Sequence, residues 1–146
     1  MTLLRYVAAT EADRDWFLAL NRRCYEAVVT RQLGPWDDAA QRERFLEKWA
    51  SQRFRKIYAG NDLVGGIWID EHEGALQVRE IQVDPDFQGL GYGTEALLAV
   101  IARARAEKLQ LWLRVLHENE AIPLYERLGF EVTGRTETQF IMTLQA

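Results

Sequence analysis

The chain has 146 residues and a formal net charge of −4, with 48% hydrophobic and 27% charged residues. That length fits one domain with apolar material for a core, and the acidic balance argues against a nucleic-acid partner, which calls for a basic face. No apolar run approaches the roughly 18–20 residues of a membrane span, the N-terminus has no secretory-signal pattern, and Cys24 is the only cysteine, so no internal disulfide forms and a reducing, cytoplasmic setting is the default.

Residues 3–8 read as a short strand. Thr10 reads as an N-cap with Asp13 as its capping-box partner. Phe17, Leu20 and Cys24 then recur at helical spacing, which predicts a helix over 11–29. "QLGPW" (32–36) breaks the chain. Asp37 or Asp38 starts a second helix, with Phe45, Leu46 and Trp49 on its apolar side. From residue 54 the pattern changes. "FRKIYAG" and "LVGGIWID" flank Asn61-Asp62, a hairpin signal. "EHEG" (71–74) is a second turn and "ALQVREIQVD" (75–84) a third strand. Residues 92–107 are predicted helical, with Leu97, Leu98, Ile101 and Ala104 inward. "LQLWLRVL" (109–116) alternates as a strand does. "AIPLYERLG" is a short helix, with Pro123 in its first turn and Gly129 as its stop. "FEVTGRTETQFIMTL" supplies a last pair of strands. The order predicts an α/β or α+β domain with one mixed sheet.

The third strand changes parity. Leu76 and Val78 mark one face, Ile81 and Val83 the other. A β-bulge at Arg79-Glu80 reconciles them; so does a strand buried on both faces.

"VDPDFQGLGYGTEALL" (83–98) places Gly89, Gly91 and Gly93 between a strand and a helix. Amides at a helix start lack internal partners and, with the helix dipole, attract anions. Glycines let a phosphate approach them. Gln88 and Thr94 add polar side chains at the lip, so the stretch reads as a pyrophosphate cradle; the bland reading is a plain glycine-rich turn. Gly91 to Ala96 formally match G-x-G-x-x-[GA], but that dinucleotide fingerprint directly follows a strand, whereas "DPDFQ" intervenes here. The P-loop lysine is absent. Nicotinamide and ATP chemistry are therefore disfavoured.

"IQVDPDFQGLGYGTEALL" resembles the central motif of the GCN5-related N-acetyltransferases, [QR]-x-x-G-x-[GA], here Gln88, Gly91 and Gly93. "LRVLHENEAIPLYERLGF" (113–130) is similar to that family's following strand and helix, with Val115, Asn119, Ala121, Leu124, Tyr125, Gly129 and Phe130 in place. Asn119 and Ala121 stand one residue closer than in the commonest form. The resemblance covers roughly residues 54–144, and the N-terminal helices share only the layout. It implies a mixed, mostly antiparallel sheet, flanked by helices and splayed between two strands, with acetyl-CoA wedged in the gap. It implies cofactor contacts from Ile81, Gln82, Val83, Gln88, Gly89, Leu90, Gly91, Tyr92, Gly93, Thr94, Asn119 and Tyr125. It also implies a bulge before the loop, with an amide facing the thioester carbonyl, and Tyr125 as proton donor to the departing sulfur.

Acetyl transfer to an amine needs a neutral amine, and neutralising a lysine-like one at pH 7 costs about 4–5 kcal/mol. Glu80, beside the expected bulge, is the candidate base; a surface carboxylate or a partner for Arg79 is the bland alternative. His72 and His117 are weaker candidates. Tyr25, Trp36, Asp37, Asp38, Trp68, Glu71 and Glu73 are candidates for the acceptor side, with Tyr25, Trp36, Trp68 and Glu80 as its substrate contacts. Their acidic and aromatic character would suit a cationic amine. No metal is implied. The reading is an N-acetyltransferase acting on a small-molecule or protein amine; an acyl-CoA-binding module without efficient catalysis is the alternative. The exposed final strands leave a homodimer open.

Overall fold

The computed structural model describes residues 3–49 and 53–144. Seven strands make one mixed sheet: β1 (Leu4–Ala8), β2 (Arg55–Ala59), β3 (Asp62–His72), β4 (Ala75–Val83), β5 (Gln110–Leu116), β6 (Phe130–Arg135) and β7 (Gln139–Leu144). Their spatial order is β1-β2-β3-β4-β5-β7-β6. Every pairing is antiparallel except β4 with β5. Four helices flank it: α1 (Arg14–Leu33), α2 (Asp38–Trp49), α3 (Tyr92–Glu107) and α4 (Ile122–Arg127).

Thr10 and Asp13 form the expected capping box, with the Thr10 amide donating to Asp13 Oδ2 at 2.8 Å. The chain first makes a 3-10 turn over Glu11–Asp13. The helix proper then outruns the expected 11–29 and stops at Gly34, whose φ of 115° is a backbone angle that glycine adopts readily and other residues rarely do. The first hairpin turns on Gly60-Asn61, since Ala59 pairs with Asp62. That is one residue before the expected Asn61-Asp62, because the positive φ sits at Gly60 (60°). The second hairpin turns on Glu73-Gly74, both at positive φ.

Two cores form, one on each face of the sheet. Leu76, Val78, Leu97, Ile101, Ala104 and Leu113 belong to the larger, under α3. Phe17, Leu20, Phe45, Trp49, Phe54 and Trp68 make an aromatic core under α1 and α2. Leu46 and Leu98, expected inward, are turned to solvent at 37% and 49% exposure. Each is one step off its helix's buried stripe, which runs through Phe45 and Trp49 on α2 and through Leu97, Ile101 and Ala104 on α3.

Phe17 packs against β3 at Gly66. A Cβ added at Gly66 would meet Phe17 Cε1 at 2.2 Å, so the absence of a side chain there makes room for the ring. Gly66→Ala is expected to cost about 1–3 kcal/mol through overpacking. A urea titration measures it, and an unchanged midpoint would refute this packing account.

The parity change in β4 is a bulge. Trp68 pairs with Glu80 and Ile69 with Val78, which leaves Arg79 as the extra residue. Before it, Leu76 and Val78 face the α3 core; after it, Ile81 packs there, while Glu80 and Gln82 turn to α1. The β4–β5 ladder also ends here. It runs only from Ala75–Gln110 to Val78–Leu113. Beyond that point β4 pairs only with β3 and β5 only with β7. The sheet is therefore open between Glu80–Val83 and Arg114–Leu116.

Candidate active site

The opening begins at the end of β4. Asp84, buried to 7% exposure, accepts from the Asp86 amide (2.9 Å) and from Arg23 of α1 (3.0 Å). This fixes the 3-10 turn Pro85–Phe87 that delivers the chain to Gln88. The turn explains why "DPDFQ" separates strand from glycines. Gly89 and Gly91 both have positive φ (80° and 87°), and Gly91 is the left-handed residue from which α3 starts. An L-residue at either position would be strained even though the space above it is open. The first helical bond runs from Glu95 N–H to the Gly91 carbonyl at 2.9 Å. The amides of Tyr92, Gly93 and Thr94 therefore have no intrahelical acceptor and carry the positive end of the helix dipole.

Those residues line a cavity of about 470 Å³ together with the β4 edge and α4. Gly89, Gly91, Tyr92, Gly93 and Thr94 form one wall, and Ile81, Gln82 and Val83 another. The Leu90 side chain is 62% exposed, so only its backbone belongs to the loop. The Gln88 side chain folds back, with Nε2 donating to the Val83 carbonyl at 2.9 Å. Cys24 Sγ donates to that same carbonyl at 3.3 Å, and burial pushes its thiol up to about 12, with Asp84 adding to the shift.

A second cavity of about 460 Å³ lies on the other side of the opening, against α1, α2, β5 and β7. Asn21, Tyr25, Val29 and Leu33 face it along one stripe of α1. The two cavities share four lining residues: Tyr25, Ile81, Asn119 and Tyr125. Asn119 Oδ1 accepts from the Ala121 amide (2.8 Å), which closes the turn that leads into α4. Tyr125, on α4, is buried with its ring edge against Phe130 at 6.0 Å. Burial, with a smaller contribution from Glu80, pushes its phenol up to about 12.

Glu80 lines the second cavity and is 7% exposed. Tyr25 Oη donates to its Oε2 at 2.7 Å, and Lys48 Nζ to its Oε1 at 2.8 Å. Burial first, and then Glu80, raises the Tyr25 phenol well above its ordinary value. Each carboxylate oxygen keeps a second lone pair for a further proton. Lys48 was not legible as a site residue; its helical spacing from Gln41 and Arg44, which also face the cavity, is the only signal.

Several expected residues lie elsewhere. Trp36 stands outside both cavities, in a shallow depression between α1 and α2, with its Nε1 donating to Asp38 and Arg22 over its ring. It follows the Gly34 helix stop, which carries it past the site. Trp68 is 4% exposed in the aromatic core, since its place on β3 faces α1 and α2. Asp38 pairs with Arg22 and Glu71 with Arg103, and Glu73 sits in an exposed hairpin turn. His72 is exposed beside Glu73. The His117 ring packs on Phe140 at 4.4 Å, and its Nε2 is buried without a partner. The acidic character expected of the acceptor side is absent: among the described residues, Glu80 is the one carboxylate lining that cavity.

A splayed mixed sheet, a bulged strand at the split and a glycine loop opening a helix define a coenzyme A-binding acyltransferase architecture. The family profile of the acetyltransferase (GNAT) family matches residues 17–130, and the chain belongs to that family. It is 30% identical over 140 residues to an L-methionine sulfoximine/L-methionine sulfone acetyltransferase of Pseudomonas aeruginosa, covering 85% of this chain and 78% of that one. It is 32% identical over 128 residues to a mycothiol acetyltransferase of Geodermatophilus obscurus, covering 81% of this chain but only 41% of the longer relative. Among solved structures, the PaiA N-acetyltransferase of Thermoplasma acidophilum in complex with coenzyme A superposes with a TM-score of 0.79 at 15% identity, covering 99% of each chain.

Proposed function

We propose that this chain is an acetyl-CoA-dependent N-acetyltransferase that transfers an acetyl group to a primary amine by direct attack in a ternary complex. The observation that carries this is the meeting of two cavities at Tyr25, Ile81, Asn119 and Tyr125, where the sheet is split. One cavity has the free helix amides and open glycines that a pyrophosphate needs; the other reaches Glu80. Bound acetyl-CoA supplies an activated acetyl thioester. The unpaired edge of β4 beyond Val78 offers backbone groups to the pantetheine and a donor to the thioester oxygen. Glu80 accepts the amine's proton directly or through a water. Tyr125 stays protonated at neutral pH and presents its O–H where sulfur charge develops. Cys24, held as a thiol by burial, is a poor nucleophile, which favours direct attack over an acyl-cysteine route. The relatives' acceptors support a small-molecule amine first and a protein amine second.

Thermal unfolding with acetyl-CoA, against NAD and ATP, tests the reading. At about 100 times its Kd, acetyl-CoA should add about 2.7 kcal/mol of stability. Stabilisation by acetyl-CoA alone supports the cradle. Stabilisation by NAD instead, or none at all, defeats it.

A further inference from the structure

The acceptor cavity carries the opposite charge to the chain as a whole. The protein has a net charge of −4, yet Arg44, Lys48, Arg79 and Arg114 all line this one cavity, against Glu80 alone. Glu80 is already engaged by Lys48 and Tyr25. Among the described residues, no carboxylate pairs with Arg44, Arg79 or Arg114.

The arginines come from three different elements. Arg79 is the bulge residue of β4, and its guanidinium lies 4.8 Å over the Trp68 ring. Arg114 projects from β5 just past the split, 5.7 Å over the Trp112 ring. Arg44 faces the cavity from α2. A cation–π contact with an indole reduces the freedom of a guanidinium, whose N–H fork matches a carboxylate. Several cations gathered in a concave wall also focus the field and concentrate anions there. A volume of about 460 Å³ suits a small molecule.

We infer that the acceptor is a small amine that also bears a carboxylate, an amino acid or close analogue, whose carboxylate is held by Arg79, Arg114 and Arg44 while its amine faces Glu80. The inference rests on the acetyl-transfer reading. It reverses the charge expected from the sequence, because the acids counted towards this site are spent in ion pairs and turns elsewhere.

The test is a panel of matched acceptors: amino acids, each beside its carboxamide and its decarboxylated amine, with thiol release as the readout. Carboxylate-bearing members are expected to show kcat/KM at least about tenfold higher than their neutral partners, the worth of one charge-assisted hydrogen bond. Arg114→Gln should lower that ratio by a similar factor, and Arg114→Lys should restore part of it. Equal or faster turnover of the neutral partners overturns the inference and leaves acetyl transfer standing. If no member of the panel releases thiol, the small-molecule acceptor falls and a protein amine is left for the acetyl-transfer reading. The anion site is then read by calorimetry on the coenzyme A-saturated protein, with matched N-acetylated acids and amides; equal affinities overturn it.

Discussion

Glu80→Gln is expected to lower kcat/KM at pH 7 by about 10²–10⁴-fold, the usual worth of a positioned base. The physical reason is the acceptor's charge. An alkyl amine near pH 7 is almost all ammonium, and only the neutral form attacks. Gln keeps the volume and an acceptor for Tyr25 or Lys48 but takes no proton. The defect should therefore shrink as pH rises towards the amine's own pKa, where solvent supplies the neutral form. A pH profile of both proteins measures this. The substitution should hardly disturb folding, because Lys48 is half exposed and stays hydrated when its partner turns neutral. A variant within threefold of the parent at pH 7, or a defect that stays constant across the pH range, would return Glu80 to a purely structural role.

Tyr125→Phe should cut kcat by about 10–100-fold while leaving acetyl-CoA affinity nearly unchanged. A hydrogen bond to a developing thiolate is worth about 1.5–3 kcal/mol, and each 1.36 kcal/mol is tenfold in rate. Burial matters here. A phenol pushed up to about 12 lies about 3.5 pH units above an ordinary thiol, so complete proton transfer would be uphill by about 5 kcal/mol. In the proposed mechanism Tyr125 is therefore a donor that stabilises the leaving thiolate rather than a full acid. The ring edge against Phe130 survives in the variant, so stability should change little. Single-turnover kinetics with a calorimetric Kd separate the two effects. Lost cofactor affinity with unchanged kcat would assign Tyr125 to binding alone, unchanged values for both would remove it from the mechanism, and cofactor binding without turnover in the parent itself would favour a non-catalytic acyl-CoA-binding module.

Part of this site is local and was legible in the chain. The glycine loop, the helix that follows it and the turn at Asp84-Pro85 depend on residues within a few positions of each other, and backbone sterics act at that range. The change of parity in β4 was likewise visible, because side chains in a strand alternate with a period of 2 and one inserted residue shows as a slip. The choice between a bulge and a doubly buried strand was not. It depended on β3, whose register leaves Arg79 unmatched.

What lay beyond local reading was charge and depth. Tyr25 meets Glu80 across a separation of 55 residues and Lys48 meets it across 32, and no pattern along the chain forecasts either contact. An indole has the same chemistry in a core as in a binding wall, so Trp68 and Trp36 could be told apart from ligand contacts only by where the sheet and the Gly34 helix stop carried them. The strand–loop–helix stretch and the order of elements were readable along the chain, because each follows from short-range sterics and periodicity. Which charges share the candidate acceptor cavity was set by tertiary packing, since that follows from packing α1 and α2 across the split sheet and from acids finding partners on other faces.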